Sequence, residues 1–532
     1  MYSKAKKNLK EIKQKNDSSF TSKENIFKSY GAKWEPSTFF YALIAGMVAL
    51  ALFNLGYHDD DYLWHSALGR WITENGIPTN DIFSWIGIEK NLPYTAHSWL
   101  FGYLMNYLTL SASGDVVLAA RFVCFVGAFL LFLITKATFV EKRNTFLLVI
   151  AIVIGTLCAN PRPQIVSNCL FVLTIYFCEK IIQNKKSKAY IPLFLVGVLW
   201  ANFHGGTILI YMGLIIFYMY CSLLPNFKIG YFGKQVDGNI EIKENFFKMS
   251  KEDKKSFLKK WVDFNKNSKE IFIISFCVLA SFLNPYVSRI FTYGFLENNS
   301  ITKMYISEWQ PAALLSVENV AIAITIVLYI IVKRNRNEIV QIYKILPVFF
   351  CIIASGIHIR FGTQAIICSI LLFCEIINEK TKKKWDSFVW YALSFVFLLI
   401  STMMVVSIQP KEGQIYELDS ELTEYLEEKE FERPYNMHND GGKLIYAGQK
   451  TFIDQRFTDS LMKDAIEFEC LASKEKDPRD YAKEMQFDAI IVNKKSKRPI
   501  GYYLEIWEEW EMDFESENYM VYVPVEKTKS NK

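Results

Sequence analysis

The chain lacks most of what marks a soluble cofactor enzyme. None of its ten cysteines forms a Cys-x-x-Cys pair, and most sit inside apolar runs. This speaks against a disulfide framework and against a zinc site. No internal repeat is visible, and the apolar runs are nearly free of charge away from their ends. Both absences argue against a transporter, which tends to carry ionisable groups at mid-membrane depth and repeated halves. The N-terminus carries Lys4, Lys6, Lys7, Lys10, Lys13 and Lys15 but no small-residue cleavage site. It reads as a basic cytoplasmic tail, residues 1–36, ahead of a signal-anchor helix. A net charge of only +5 over 532 residues implies no nucleic-acid partner.

What is present is apolar and aromatic: 51% hydrophobic residues and 16% Phe, Trp and Tyr, gathered in blocks. Blocks rather than a period indicate a polytopic α-helical membrane protein. They are 37–57, 115–137, 145–160, 164–182, 190–203, 207–224, 270–283, 317–331, 339–356, 361–377 and 387–408, about eleven spans. Ser98–Ser111 is a further apolar stretch. Trp99, Tyr103 and Tyr107 recur there at helical spacing, which places it flat in the interface. With that placement the intervening Lys/Arg-rich segments all fall on one side, as cytoplasmic loops do. The N-terminus is then inside, and the chain crosses the plasma membrane repeatedly with its C-terminal domain outside.

The outer loops on this reading hold the chemistry. The first, 58–114, opens with His58-Asp59-Asp60-Asp61-Tyr62-Leu63-Trp64-His65 directly after the first span. Adjacent carboxylates at a membrane lip repel one another and lose hydration, so such a cluster suits a cation, a proton or a polar substrate. A solvated loop start is the plain alternative. Asp61 to Asn75 has an amphipathic pattern, with Leu63, Trp64, Leu68, Trp71 and Ile72 on one face, and Gly76 and Pro78 stop it. Five of the six histidines, His58, His65, His97, His204 and His358, lie in outer loops, and His438 lies in the outer domain. Imidazole carries protons and donates hydrogen bonds at neutral pH. Arg162, in Asn160-Pro161-Arg162-Pro163, suits phosphate oxygens, or else snorkels from a helix end. His204 precedes two glycines, and His358 and Arg360 share a tight turn between spans.

Taken in order, Asp59-x-Asp61, Trp64-His65, Asp81-x-Phe83-Ser84-Trp85, His97-x-Trp99-Leu100, Arg162-Pro163-Gln164, Trp200-x-Asn202-x-His204-Gly205, Asn284-Pro285, Glu308-Trp309 and Phe452-Ile453-Asp454-Gln455-Arg456 resemble the bacterial polytopic GT-C glycosyltransferase-like proteins. The resemblance implies a GT-C-like fold with two interfacial helices in the first outer loop. It implies inverting transfer of a hexose or pentose from a polyprenyl-phosphate-linked donor, or of an oligosaccharide from a lipid pyrophosphate, to a glycan, lipid or protein acceptor, on the outer face of the cytoplasmic membrane in the cell envelope. An acidic residue after the first helix is catalytic in that family, and Asp59 and Asp61 match its paired carboxylates. Some members bind a divalent cation such as Mg or Mn there; Asp59, Asp61 and Asp81 are the residues this chain offers. It departs from the pattern at Ser98, where a carboxylate is expected, and Asp81 is left to fill the gap. His65, His97, Arg162, His204, Glu308, His358 and Arg360 are candidates for substrate and phosphate. Sugar transfer needs a base for the acceptor proton and positive charge for the departing phosphate, and a carboxylate poised by its neighbour serves as the base.

Residues 37–409 therefore form the membrane domain. Its cytoplasmic loop 225–269, with Lys251, Lys254, Lys255, Lys259, Lys260 and interleaved aromatics, reads as a surface helix on anionic lipid. From Pro410 onward about 18 basic and about 28 acidic residues give a tail near −10, leaving the rest near +15. Residues 410–532 read as an extracytoplasmic α/β domain: helices over 418–430, 459–472 and 478–484, buried strands over 451–453 and 489–492, and a terminal hairpin over 513–525. Asn439-Asp440-Gly441-Gly442 reads as a turn. Asp454 and Arg456 either pair structurally or face the acceptor. A lipid-linked-substrate flippase and a non-catalytic scaffold are the competing functions.

Overall fold

The computed structural model describes residues 36–57, 59–139, 144–183, 188–223, 231–232, 275–291, 310–311, 317–335, 340–356, 359–377, 419–456, 468, 477–495 and 499–525. The N-terminal tail, nearly all of the loop 225–269, the block 387–408 and most of 459–472 lie outside these residues, as do His58, Glu308 and His358.

Helix α1 (Pro36–Asn54) is apolar all round, so sequence period does not orient it; residue size does. Ala42, Ala45 and Ala49 are fully buried, while Phe39, Phe40, Leu43 and Met47 point outward. Small side chains let helix backbones approach closely, the device that packs helices in lipid. Here α1 packs on α5 (Val116–Phe139) and α6 (Asn144–Leu157). A Cβ on Gly155 of α6 would sit 2.6 Å from the Ala45 carbonyl oxygen. Next come α7 (Gln164–Gln183), α8 (Tyr190–Phe203) and α9 (Ile208–Leu223). The last two meet at 120° across the His204 break. Then follow α10 (Val317–Asn335), α11 (Ile342–Ser355) and α12 (Gly362–Ile377), which pack on one another. Among the described residues, Val116–Phe139 and Gln164–Ile181 are each long and apolar enough to cross a bilayer. The bent pair, taken as one span, makes a third.

The first loop supplies α2 (Asp61–Asn75), α3 (Trp85–Glu89) and α4 (Trp99–Ser111). The start and stop signals of α2 hold, with Gly76 at φ 83° as the stop. Its amphipathic pattern does not: every residue from Tyr62 to Gly69 is buried. The reason is that two elements cover it. Helix α4 packs on one side, with Gly69 against Gly102, and α14 (Gly441–Tyr446) packs on another. Tyr103, Tyr107 and Leu110 of α4 face outward.

The C-terminal module holds α13 (Ser420–Lys429), β1 (Pro434–Asn436), α14, α15 (Pro478–Met485), β2 (Ala489–Asn493), α16 (Pro499–Leu504), β3 (Trp510–Glu515) and β4 (Tyr519–Pro524). The sheet order is β1-β2-β4-β3, with β1 parallel to β2 and the other pairs antiparallel. The Ala-Ile-Ile-Val run of β2 is apolar throughout because both faces of the sheet are covered. Ile490 and Val492 join Tyr435, Phe452 and Phe487 on one face; Ala489 and Ile491 join Leu422, Leu426 and Tyr519 on the other. The first of these cores also takes Trp85 and Ile86 from the first loop. Two expectations are corrected here. Thr451–Ile453 is buried, but Thr451 pairs only through an isolated parallel bridge to Ser84. Asn439–Gly442 is not a simple turn: a 3-10 turn over His438–Asp440 runs straight into α14.

Candidate active site at the end of the first helix

After α1 the chain turns at Gly56 (φ 81°) and presents Asp59, Asp60 and Asp61 ahead of α2. The outer two and the middle one part ways. Asp59 and Asp61 both reach Arg162: Arg162 Nη2 pairs with Asp59, and its Nε lies 3.0 Å from Asp61 Oδ2. Asn160 Nδ2 donates to Asp59 Oδ2 at 2.8 Å. Asn160-Pro161-Arg162-Pro163 is the break between α6 and α7, where proline denies helix continuation, so these polar side chains fall together. Side-chain exposures of 22% for Arg162, 26% for Asp59 and 16% for Asp61 leave the group open to a ligand.

Asp60 is buried and turns to the C-terminal module, where Lys443 Nζ sits 3.2 Å from its carboxylate and 3.2 Å from Asp440. Asp440 also accepts from Tyr519 Oη at 2.8 Å and Asn493 Nδ2 at 3.1 Å. Burial raises the Asp60 carboxyl to about 6 despite Lys443.

Behind the open group runs a row of imidazoles. His65, on α2, is buried; burial first, then His97 and Arg162, hold it well below the usual imidazole value. It is neutral at pH 7 and cannot serve as a cation for phosphate. Ser98, which stands where a carboxylate was expected, places its Oγ 3.5 Å from His65 Nδ1. The His97 and His204 rings lie 6.1 Å apart, and the Gly205 N–H donates to the His97 carbonyl at 2.7 Å. His204 caps α8, with Nδ1 2.7 Å from Ser167 Oγ. Trp99 Nε1 donates to Asn202 Oδ1 at 3.0 Å, tying the same two loops together.

Asp81 goes elsewhere. Arg456 Nη2 lies 2.9 Å from Asp81 and 2.7 Å from Asp454, all three buried, with the guanidinium 4.8 Å from both the Phe83 and Tyr94 rings. Burial pushes the Asp81 carboxyl up, but Arg456 and the Phe83 and Ser84 N–H groups bring it below the ordinary carboxylate value. Asp454 and Arg456 thus pair with each other and with the first loop. Beside them Ser84 Oγ donates to the Phe452 carbonyl at 2.9 Å and Trp85 Nε1 to the Pro434 carbonyl at 3.0 Å.

Arg360 lies on the 3-10 turn Ile359–Phe361 ahead of α12. The Ile359 N–H donates to the Gln310 carbonyl at 2.9 Å, so the stretch just after Glu308-Trp309 runs beside that turn. Among the described residues no three His, Cys, Asp or Glu side chains converge as a metal shell requires. Asp59 and Asp61 share Arg162, and Asp81 is held by Arg456. Among the described residues this arrangement does not fit the divalent cation that the family resemblance suggests.

Asp60 stood out in the sequence only as part of the acidic stretch, with no role of its own, and Lys443, Ser167 and Thr207 did not stand out at all. Lys443 had a signal: a lysine inside Gly-Gly-Lys-Leu-Ile-Tyr is flanked by residues that bury. The hydroxyls had none, since Ser and Thr are ordinary within apolar helices.

No protein-family model matches the chain, and no curated protein does. Solved structures do. One is the archaeal oligosaccharyltransferase AglB from Archaeoglobus fulgidus in complex with an inhibitory peptide and a dolichol-phosphate, with a TM-score of 0.55 and 11% identity over 86% of this chain and 69% of that one. The apo form of the A. fulgidus oligosaccharyltransferase gives 0.53 and 9%, covering 87% and 70%. The same enzyme tethered to an acceptor peptide gives 0.52 and 9%, covering 87% and 69%. This chain has the helical, GT-C-like fold of those oligosaccharyltransferases, with a small sheet domain at its C-terminus.

Proposed function

We propose that the protein is an inverting membrane glycosyltransferase. It moves a sugar from a polyprenyl-phosphate-linked donor to an acceptor on the extracytoplasmic face of the plasma membrane. One observation carries this: two partly open carboxylates at the end of the first apolar helix share a guanidinium from a later loop, in a fold of this kind. The solved relatives bind dolichol-phosphate in one case and an acceptor peptide in another, which supports a lipid-phosphate donor.

The chemistry follows from the groups. Asp59 or Asp61 takes the proton from the acceptor's O–H or N–H. The freed electron pair forms the new bond at the sugar's anomeric carbon. The bond from that carbon to the phosphate oxygen breaks, and its electrons leave on the lipid phosphate. Arg162 has five N–H donors, enough to hold carboxylates and still meet phosphate oxygens. His204 supplies a further hydrogen bond to the departing phosphate.

The experiment is transfer of labelled sugar from polyprenyl-phosphate sugars by the purified protein in liposomes. Asp59→Ala and Asp61→Ala are compared with wild type. Loss of a general base lowers the rate by about 100-fold or more. Wild-type rates in both variants overturn the assignment.

A further inference from the structure

The four aspartates of the first loop all meet a cation that the chain itself supplies. Arg162, from the break between α6 and α7, pairs with Asp59 through Nη2 and lies 3.0 Å from Asp61 through Nε. Lys443, on α14, sits 3.2 Å from Asp60. Arg456 sits 2.9 Å from Asp81. Lys443 and Arg456 are closed in, at 3% side-chain exposure, whereas Arg162 is partly open at 22%. Of these cations it is therefore Arg162 that stands where a ligand or an ion from solvent would arrive.

The neighbours of Arg162 are oxygen donors held for a positive charge. Asp59 is gripped at both oxygens: Asn160 Nδ2 donates to Oδ2 at 2.8 Å, and the Asp61 N–H donates to Oδ1 at 3.3 Å. A carboxylate only accepts, so the Asn160 amide must face it with nitrogen. Its Oδ1 is buried with no hydrogen-bond partner among the described residues. Hard divalent cations take carboxylate and amide oxygens. With Arg162 gone, Asp59, Asp61 and a turned Asn160 amide would offer such a set. With Arg162 present, its charge occupies the space between the carboxylates, and an ion entering there meets a like charge at close range.

We propose that Arg162 takes the place of a divalent cation: it is a resident positive charge that ties Asp59 to Asp61, and the site works without a metal ion. A guanidinium stays charged at any working pH, and its N–H donors reach carboxylate and phosphate oxygens alike. It cannot ionise a bound water as a metal does, but the proposed transfer uses no water as nucleophile. What concerns transfer here rests on the function proposed above; what concerns ion binding does not.

The test uses the full chain in nanodiscs of phosphatidylcholine, a lipid without net charge. Mn²⁺ is the probe, and its electron paramagnetic resonance signal is the readout. The double variant Asp59→Asn with Asp61→Asn sets the background. Wild type is expected to take up no Mn²⁺ beyond that background. Arg162→Ala is expected to bind Mn²⁺ about tenfold more tightly or better, the effect of removing a unit charge so close. Adding Asp59→Asn to it is expected to abolish the gain, and Arg162→Lys, which keeps the charge, to behave as wild type. Uptake by wild type that the double variant lacks overturns the proposal, and so does a folded Arg162→Ala protein with no gain. The wild-type measurement decides even where Arg162→Ala fails to fold. The second arm is sugar transfer by wild type after treatment with EDTA. An unchanged rate supports a metal-free site, and a loss that Mn²⁺ restores overturns it. A protein that transfers no sugar yet shows the expected Mn²⁺ pattern overturns the proposed function and leaves the cation replacement standing.

Discussion

Lys443 Nζ lies 3.2 Å from the carboxylate of Asp60, and both side chains are buried. The middle carboxylate of the acidic stretch is thereby fastened to the C-terminal module, while its neighbours on either side face Arg162. Asp60 also precedes α2 as its N-cap residue, so this one pair fixes where the helix starts and how Asp59 and Asp61 are presented.

A pH dependence follows. The Asp60 carboxyl rises from an ordinary 3.8 to about 6 in the fold, chiefly through burial. A raised value contributes stability that is full below 3.8 and is lost as pH climbs through 6. The amount is about 3 kcal/mol. Asp60→Asn is expected to flatten thermal stability between pH 4 and 6, as read by differential scanning calorimetry. Asp81, whose carboxyl is lowered, acts with the opposite sign: its contribution is present above the ordinary carboxylate value and fades as pH falls through the lower, folded one.

Arg456→Met leaves Asp81 and Asp454 buried without their cation. A loss of roughly 3–5 kcal/mol is expected. Arg456→Lys recovers only part of it, because lysine has neither the planar fork nor the stacking between Phe83 and Tyr94. Chemical denaturation, with protease cleavage as a second readout, measures both. Wild-type stability in Arg456→Met would remove the clamp from the account.

Gly69→Ala puts a methyl 2.1 Å from the Gly102 carbonyl oxygen and forces α2 off α4. Overpacking of this kind costs roughly 1–3 kcal/mol. It also displaces His65 and the start of α2, so transfer activity is expected to fall with stability. Gly362→Ala is the control, since a Cβ there meets nothing within 4 Å. Equal melting temperatures for the two variants would contradict the close crossing.

Arg162→Met leaves two neighbouring carboxylates without the guanidinium they share. Transfer is expected to fall by about 100-fold or more, the cost of losing one electrostatic stabiliser. Arg162→Lys keeps the charge but not the fork, and its rate is expected to lie between. The turnover number decides; a change confined to KM would assign Arg162 to donor capture alone.

Local patterns were legible in the sequence, and long-range pairings were not. The bounds of α2 could be read because an acidic first turn, Gly76 and Pro78 are local signals. The β3–β4 hairpin could be read for the same reason. Asp81 was misread as a spare ligand because its partner Arg456 is 375 positions away. The apolar run Thr451–Ile453 suggested a strand, but its burial comes from packing under Trp85, which no window contains. The acidic stretch stood out as charge, yet its division into two outward carboxylates and one buried one depends on Lys443. The convergence of Arg162 with Asp59 and Asp61 could be guessed only from the sidedness of the loops.

The most direct measurement is a cryo-electron microscopy map of the full chain in nanodiscs containing polyprenyl monophosphate. Phosphate density is expected within hydrogen-bond reach of Arg162, on the side where Asp59 and Asp61 are exposed. Density for the lipid phosphate at another site, with Arg162 still closed on the two carboxylates, would contradict it.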